Sequence, residues 1–179
     1  HKEKIAAENN QETFGNLSCL LKCFEIAKKN QSDLIYFVED DYLHYEHSLV
    51  DMLNTYERVS SQHKDEIIIC PSDYPFNYMN NEKTNILIGS KQHWRTITKM
   101  LCTFMISKKM FQKHINNFEK TCEKRHEPFE KYLNKILESE IGISPIKSLA
   151  IHMTNVNSSY GLSPFIDIKK LWEENKIDQ

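Results

Sequence analysis

Hydrophobic residues recur at helical spacing in several stretches of the chain. Five apolar residues between positions 16 and 30 follow one another at intervals of one or three residues and form one face of a predicted helix: Leu17, Leu20, Leu21, Phe24 and Ala27. The same kind of pattern predicts helices over residues 46–59, 109–118 and 166–174. A further helix is expected to open at Glu127-Pro128-Phe129, because proline suits the first helical position.

Other apolar stretches are continuous, which is typical of strands buried on both faces of a sheet. These runs lie at residues 34–38, 66–70, 86–88, 101–107 and 145–151, the last ending at His152. Helices and buried runs alternate along the chain, so the pattern predicts a three-layer α/β domain with a mostly parallel sheet. We expect a single domain over residues 1–179, with a loose segment at 1–13 and a core at 14–174.

Composition narrows the function classes. The chain has 179 residues and a formal charge of -2, which provides no basic field for nucleic acid. Its four glycines are too few and too scattered for a P-loop or a dinucleotide fingerprint. The longest apolar runs hold about five residues, so no transmembrane segment is predicted. The five cysteines contain no C-x-x-C pair, which argues against structural zinc and favours reduced thiols in a cytoplasmic protein.

Acidic and imidazole side chains follow the predicted strands. Glu39, Asp40 and Asp41 come directly after the first buried run, Asp73 follows the second, and His152 ends the last. Ligands of open α/β sheets bind beyond the carboxyl ends of the strands. Clustered carboxylates favour a hard divalent cation, and an added imidazole favours Mn²⁺ over Mg²⁺. The alternatives are that the acids cap the next helix and that His152 is an ordinary surface histidine.

At these residues the chain resembles a known family. The run Tyr36-Phe37-Val38-Glu39-Asp40-Asp41-Tyr42-Leu43-His44 resembles the Asp-x-Asp region of GT-A-type, nucleotide-sugar-dependent glycosyltransferases, and is closest to bacterial members with a Val-Glu-Asp-Asp-Tyr-Leu-His run. Residues 71–75, 93–96 with 102–104, and 163–167 resemble later stretches of the same family. The resemblance covers residues 14–174. It implies a GT-A-like, Rossmann-like fold and transfer of a sugar from a nucleotide-sugar donor to a glycan or other hydroxyl acceptor.

The resemblance also implies roles for individual residues. Asp41 would bind Mn²⁺ or Mg²⁺ directly, with His152 as a further metal ligand. Asp40 or Glu39 would face the sugar or the ribose of the donor. The ion would act as a Lewis acid on the departing nucleoside diphosphate.

Four further residues are candidates for the chemistry around the donor. Glu127 is the candidate general base, since the family places an acid at the start of a helix; the alternative is an ordinary acid near the helix N-cap. Asp73 is the reserve base. Arg95 could contact phosphate, and Trp94 could offer an aromatic face to an acceptor sugar, although a place in the core is at least as consistent with the sequence. Tyr74 is expected at the rim of the acceptor pocket.

One departure from the family and two other functions remain. A GT-A fold normally opens with a nucleotide-binding strand before the helix at 16–30, and no apolar strand precedes Phe14. The domain is therefore expected to be shortened, or its first strand to lie outside this chain. A non-catalytic module that binds a glycan or a partner is the first alternative. The second is a phosphoacceptor receiver domain that uses Asp40-Asp41, Asp73, Thr103 and Lys147. A peripheral position at the inner membrane is the alternative to a purely cytoplasmic location.

Overall fold

Short strands and helices alternate along residues 15–79, 81–157 and 162–176, the part of the chain that the computed structural model describes. The strands are β1 (Leu34–Phe37), β2 (Tyr42–His44), β3 (Ile67–Ile69), β4 (Ile86–Ile88), β5 (His93–Ile97), β6 (Phe104–Ser107), β7 (Ile141–Pro145) and β8 (Ala150–His152). The α-helices are α1 (Gly15–Lys29), α2 (Ser48–His63), α3 (Lys108–Lys113), α4 (Ile115–Glu123), α5 (Lys131–Ile136) and α6 (Ile168–Glu174). Two 3₁₀ turns cover Pro75–Tyr78 and Met153–Asn157. The loose segment predicted at 1–13 lies outside the described residues.

Six strands form one sheet in the order β1-β6-β3-β7-β5-β4. Only β3 and β7 pair in parallel within the described sheet, and the other neighbours are antiparallel. The chain is therefore α/β, but the prediction of a mostly parallel sheet is wrong. The physical reason is that a continuous apolar run reports burial on both faces and carries no information on direction. The β4–β5 hairpin, closed by a bond from the Gly89 amide to the Gln92 carbonyl at 2.9 Å, shows how a tight turn forces the antiparallel direction.

Two predicted elements differ from the observed ones. The last strand predicted at 145–151 spans the end of β7, a bent connection at residues 146–149, and β8. The helix predicted at 109–118 is divided between α3 and α4, which meet at His114. The Ser107 hydroxyl accepts a hydrogen bond from the Met110 amide at 3.1 Å and caps α3 at its start.

Helices cover both faces of the sheet, so the predicted three layers are present. Alternate residues of β3 point to opposite faces: Ile68 packs in the cluster with α1, α3, α4 and α5, while Ile67 and Ile69 pack in the cluster with α2. The first cluster is built on aromatic rings, with Phe24 of α1 5.0 Å from Phe118 of α4 between ring centroids. The described helices include none long and apolar enough to cross a membrane.

A second, two-stranded sheet stands beside the carboxyl end of β1. Strand β2 pairs with β8 in antiparallel register, with Tyr42 opposite His152 and His44 opposite Ala150. The Met153 amide extends this pairing with a 2.8 Å bond to the carbonyl of Asp41. The small sheet therefore joins the acidic segment after β1 to the end of the last strand.

Candidate functional site

The acidic segment after β1 lies in a turn between two strands. Val38 and Glu39 continue from β1, and Asp40 and Asp41 form the turn that leads into β2. Helix α2 begins only at Ser48, and its N-cap is His47. The acids are thus not the cap of the next helix, and the first alternative reading of this segment is excluded.

Asp41 and His152 meet at the head of the small sheet. The Asp41 Oδ2 atom lies 2.7 Å from His152 Nε2, and the Asp41 and His152 side chains are 38% and 18% exposed. The Tyr42 ring stacks on the imidazole with 4.7 Å between ring centroids and 11° between planes, which holds the imidazole in place. The Thr154 hydroxyl is 2.9 Å from the same Nε2 atom. The structure thus brings these two predicted site residues together, and their metal-binding role stays a prediction.

Glu39 lies deeper than the two aspartates. The buried Thr103 hydroxyl accepts a bond from the Glu39 amide at 3.0 Å and donates one to Glu39 Oε2 at 3.2 Å. Burial raises the pKa of the Glu39 carboxyl above its usual range, an effect that His152 and Thr103 partly oppose. Asp40 is exposed to solvent. Of the two predicted donor-facing acids, Asp40 is therefore free to reach a ligand, while Glu39 is fixed by Thr103.

A fourth acid, Glu130, reaches the same region from α5. It is the N-cap residue of this helix and is half-buried. Burial raises the pKa of its carboxyl, while the positive field of His152 acts in the opposite direction. Glu130 is not among the site residues predicted from the sequence, where Glu127, three residues earlier, is the candidate base. Thr103 was seen only in the receiver alternative, where it had a different role.

Glu127 does not open the helix that was predicted there. Residues 127–130 form a bend and a turn, and α5 starts at Lys131. Glu127 therefore lies outside the first turn of α5, where a helix dipole would favour the ionised form of an acid. Glu127 is exposed and close enough to Glu130 to raise the pKa of that carboxyl. Its role as general base stays a prediction.

Asp73, the reserve base, is enclosed by hydrogen-bond donors. Its carboxylate forms an ion pair with the Arg95 guanidinium and accepts bonds from the hydroxyls of Tyr78 at 2.6 Å and Ser163 at 2.5 Å. Its amide donates to the Ser148 hydroxyl at 2.9 Å. The Asp73 side chain is 0% exposed. These contacts use the lone pairs that a base or a phosphoacceptor would need, and they remove the support for the receiver domain.

Three residues assigned to ligands are instead part of the interior. Arg95 pairs with Asp73 and lies 4.0 Å from the centroid of the Tyr78 ring, so its predicted contact with phosphate is not available. Trp94 and Tyr74 are 0% and 1% exposed. The acceptor contacts predicted for both are corrected: Trp94 belongs to the core beside α2, as its alternative reading stated, and Tyr74 bonds through its hydroxyl to that of Tyr42 at 2.7 Å.

The site suits a metal that takes only part of its coordination from the protein. The described residues contain no group of three or more His, Cys, Asp or Glu side chains placed to hold a metal ion. Asp41 and His152 supply two ligands. Mg²⁺ and Mn²⁺ in sites of this type are commonly completed by water and substrate phosphate oxygens, so two protein ligands fit such an ion. A metal held by both side chains would take the place of their direct 2.7 Å contact.

The chain was compared with protein-family models, with curated proteins and with solved structures. No family model, no curated protein and no solved structure matches it. The functional argument therefore depends on the residues of the site.

Proposed function

We propose that the protein is a metal-dependent glycosyltransferase of the GT-A type. It would transfer a sugar from a nucleotide-sugar donor to a glycan or other hydroxyl acceptor. The observation that carries this proposal is the contact between Asp41 and His152, which the β2–β8 pairing brings together from distant parts of the chain. A partly exposed carboxylate and imidazole at a strand end would suit a divalent ion that neutralises the charge of a diphosphate.

Each residue of the site has a distinct task in this proposal. Asp41 and His152 hold the ion, which would supply Lewis-acid stabilisation of the leaving diphosphate. Tyr42 keeps the His152 ring in one orientation by stacking on it. Asp40, which is exposed, binds hydroxyl groups of the donor. Thr103 fixes Glu39 within electrostatic reach of Asp41 and His152, where an ionised Glu39 would add to the negative field that attracts a cation.

The acceptor hydroxyl requires a base, and two glutamates are candidates. Glu130 lies within electrostatic reach of His152 and Glu39, and Glu127 lies within electrostatic reach of Glu130. Glu127 is exposed, and Glu130 is half-buried with a raised pKa. A base with a pKa raised towards neutrality removes a proton more effectively than one in the ordinary carboxylate range. Glu130 is therefore favoured over Glu127 as the base that removes the acceptor proton. Substitution of each glutamate by glutamine distinguishes the two candidates.

Metal-dependent hydrolysis of the donor tests the proposal. Purified protein with Mn²⁺ is incubated with a panel of nucleotide sugars, and release of the nucleoside diphosphate is followed. We expect hydrolysis of at least one donor, its loss on chelation, and a decrease of about 100-fold or more in Asp41→Asn. Asp33→Asn is the matched control, since Asp33 is an exposed aspartate at the opposite end of β1.

Two outcomes would contradict the proposal. One is that no donor is bound or consumed with Mn²⁺ by a folded protein, which would favour the non-catalytic module. The other is equal loss of activity in Asp41→Asn and Asp33→Asn, which would locate the activity elsewhere.

A further inference from the structure

Three lysine side chains converge on the ring of Tyr132, where α4 and α5 meet. The ammonium groups of Lys120, Lys131 and Lys135 lie 6.0, 5.9 and 5.3 Å from the centroid of this ring. The three lysines are exposed, and Tyr132 is half-buried. We name these four residues the Tyr132 cluster. All three positive charges therefore lie within about 12 Å of one another, which is close to the Debye length at moderate salt.

The turn before α5 supports this arrangement. The His126 ring meets the Tyr132 ring edge-on, with 4.8 Å between centroids and 79° between planes. Its Nε2 atom donates a hydrogen bond to the Lys120 carbonyl at 2.9 Å. These contacts connect the end of α4 to the start of α5. The basic residues Lys124 and Arg125 are exposed in the same connection.

The three lysines of the Tyr132 cluster make no ion pair with any residue that the structure describes, since no such carboxylate lies within ion-pair distance of their ammonium groups. Lysines elsewhere do find partners, as Lys28 does with Glu119 and Lys113 with Glu140. An exposed cation–π contact contributes only about 0.5–1 kcal/mol and does not cancel the repulsion between like charges. A multivalent anion placed among the three ammonium groups would be attracted by all of them.

The position of the cluster connects it to the candidate site. Lys131 directly follows Glu130, whose carboxyl lies within electrostatic reach of His152. A ligand group held by the cluster would therefore lie at the edge of the site where Glu130 and Glu127 are found. The nucleoside diphosphate of the donor is already accounted for by the ion at Asp41 and His152. The second anion is accordingly expected on the acceptor.

We propose that the Tyr132 cluster binds a phosphate or diphosphate group of the acceptor, so that the acceptor is a phosphorylated molecule. This inference depends on the glycosyltransferase function proposed above. The compact geometry favours one multivalent anion, because all three ammonium groups lie within 6.0 Å of the centroid of a single ring. A flat membrane surface would be met better by lysines distributed along a face.

Binding of inorganic pyrophosphate without divalent cations tests the anion site directly. Calorimetric titration in the presence of a chelator, at low ionic strength, excludes binding through the ion at Asp41 and His152. We expect saturable binding to the wild-type protein and a loss of about tenfold or more in affinity in the triple variant Lys120→Gln, Lys131→Gln, Lys135→Gln. The control triple variant Lys83→Gln, Lys91→Gln, Lys169→Gln removes the same charge from other exposed positions and should change the affinity by about twofold or less.

Single variants keep the test decisive if the triple variant fails to fold. Lys120→Gln and Lys135→Gln should each weaken pyrophosphate binding by about threefold, with an unchanged circular dichroism spectrum. Equal losses in the cluster and control triple variants would overturn the proposal, because they would indicate a general charge effect. Absence of saturable binding would overturn it as well. Binding of the protein through these lysines to vesicles of phosphatidylcholine with phosphatidylglycerol, but not to pyrophosphate, would also overturn the proposal.

The two proposals fail in different ways. A protein that consumes a nucleotide sugar with Mn²⁺ but does not bind pyrophosphate in its absence would contradict only the inference on the acceptor. A protein that binds pyrophosphate through the cluster but consumes no donor would contradict the glycosyltransferase function, and with it the assignment of the anion to an acceptor.

Discussion

Two acidic strand ends of the same molecule have opposite environments. Asp73, after β3, is fully enclosed and accepts bonds from Arg95, Tyr78 and Ser163. Asp41, after β1, is 38% exposed and has His152 as its ion-pair partner. Both were candidates in the sequence for the same reason, their place after a buried apolar run. The difference shows that a strand-end carboxylate is available to a ligand only where the surrounding chain leaves its oxygens unsatisfied.

The charges of these two carboxylates therefore have different physical effects. An enclosed carboxylate with a cation and two hydroxyls stabilises one arrangement of the loops that supply them, since removal of any partner leaves a buried polar group unpaired. A partly exposed carboxylate costs little to change in the folded protein, so its contribution to ligand binding can be separated from its contribution to stability. Substitutions at the two positions should therefore differ most in the free energy of unfolding.

The largest effect is expected for Asp73→Ala. It leaves the Arg95 guanidinium buried without its partner, and the free energy of unfolding in urea should fall by about 3–5 kcal/mol. A double variant with Arg95→Met should recover part of this loss, because it removes the uncompensated charge. A loss under about 1 kcal/mol for Asp73→Ala would contradict the enclosed ion pair.

Ser163→Ala should have the second-largest effect. It removes one of the hydroxyls that donate to the Asp73 carboxylate, and a bond to a charged group is worth about 1.5–2 kcal/mol. Urea unfolding measures the change. Ser61→Ala is a suitable control, since the Ser61 hydroxyl donates to the Arg58 carbonyl on the exposed side of its own helix. Loss of this hydroxyl should change the free energy of unfolding by about 0.5 kcal/mol or less. Equal effects of the two substitutions would show that Ser163 does not hold Asp73.

A smaller, pH-dependent effect is expected for Glu130→Gln. The raised pKa of Glu130 means that the folded protein holds this proton more tightly than the unfolded chain does. The wild-type free energy of unfolding therefore falls as the pH rises from about 4.3 through the folded pKa, and this contribution is absent in the variant. Relative to wild type, the variant should gain about 1 kcal/mol or less between pH 4 and pH 7, because the carboxyl is only half-buried. A difference that does not vary with pH would contradict the effect of burial.

The smallest change in stability is expected for Asp41→Asn. A partly exposed pair with His152 contributes about 0.5 kcal/mol or less, so the urea transition should hardly move. The same variant should lose the Mn²⁺-dependent increase in thermal stability that we expect of the wild-type protein. A large loss of stability with no metal present would indicate that Asp41, like Asp73, serves the fold.

The sequence predicted where the strands end more reliably than it predicted which residues contact the side chains at those ends. The runs before Glu39 and Asp73 are strands, because burial and strand length are local properties of the pattern. The contact between Asp41 and His152 depends instead on the long-range pairing of β2 with β8. Trp94 shows the limit: its place inside the core follows from the β5–β7 pairing, which lies outside the information in a short window. Which acids are satisfied depends on residues as distant as Ser163, and no spacing rule identifies them.

The local pattern of apolar residues also could not predict whether neighbouring strands of the sheet are parallel or antiparallel. The residues of β6 are as apolar and as buried as those of β3, yet the two strands run in opposite directions. The position of Glu130 could have been anticipated in part, since a glutamate three residues after Glu127 is visible in the sequence. Its burial depends on how α5 packs against α4, and that packing is a property of the whole fold.

The small β2–β8 sheet places a condition on when the site can exist. Its strands come from opposite ends of the folded core, so Asp41 and His152 meet only once nearly all the intervening chain has found its place. Contacts of such wide sequence separation form late, after the entropy of closing the long loop has been overcome. A chain emerging from the ribosome therefore cannot bind the ion until its last strand is complete. Occupancy of the site would report the finished fold, and an ion bound only there would stabilise that fold in proportion to its concentration.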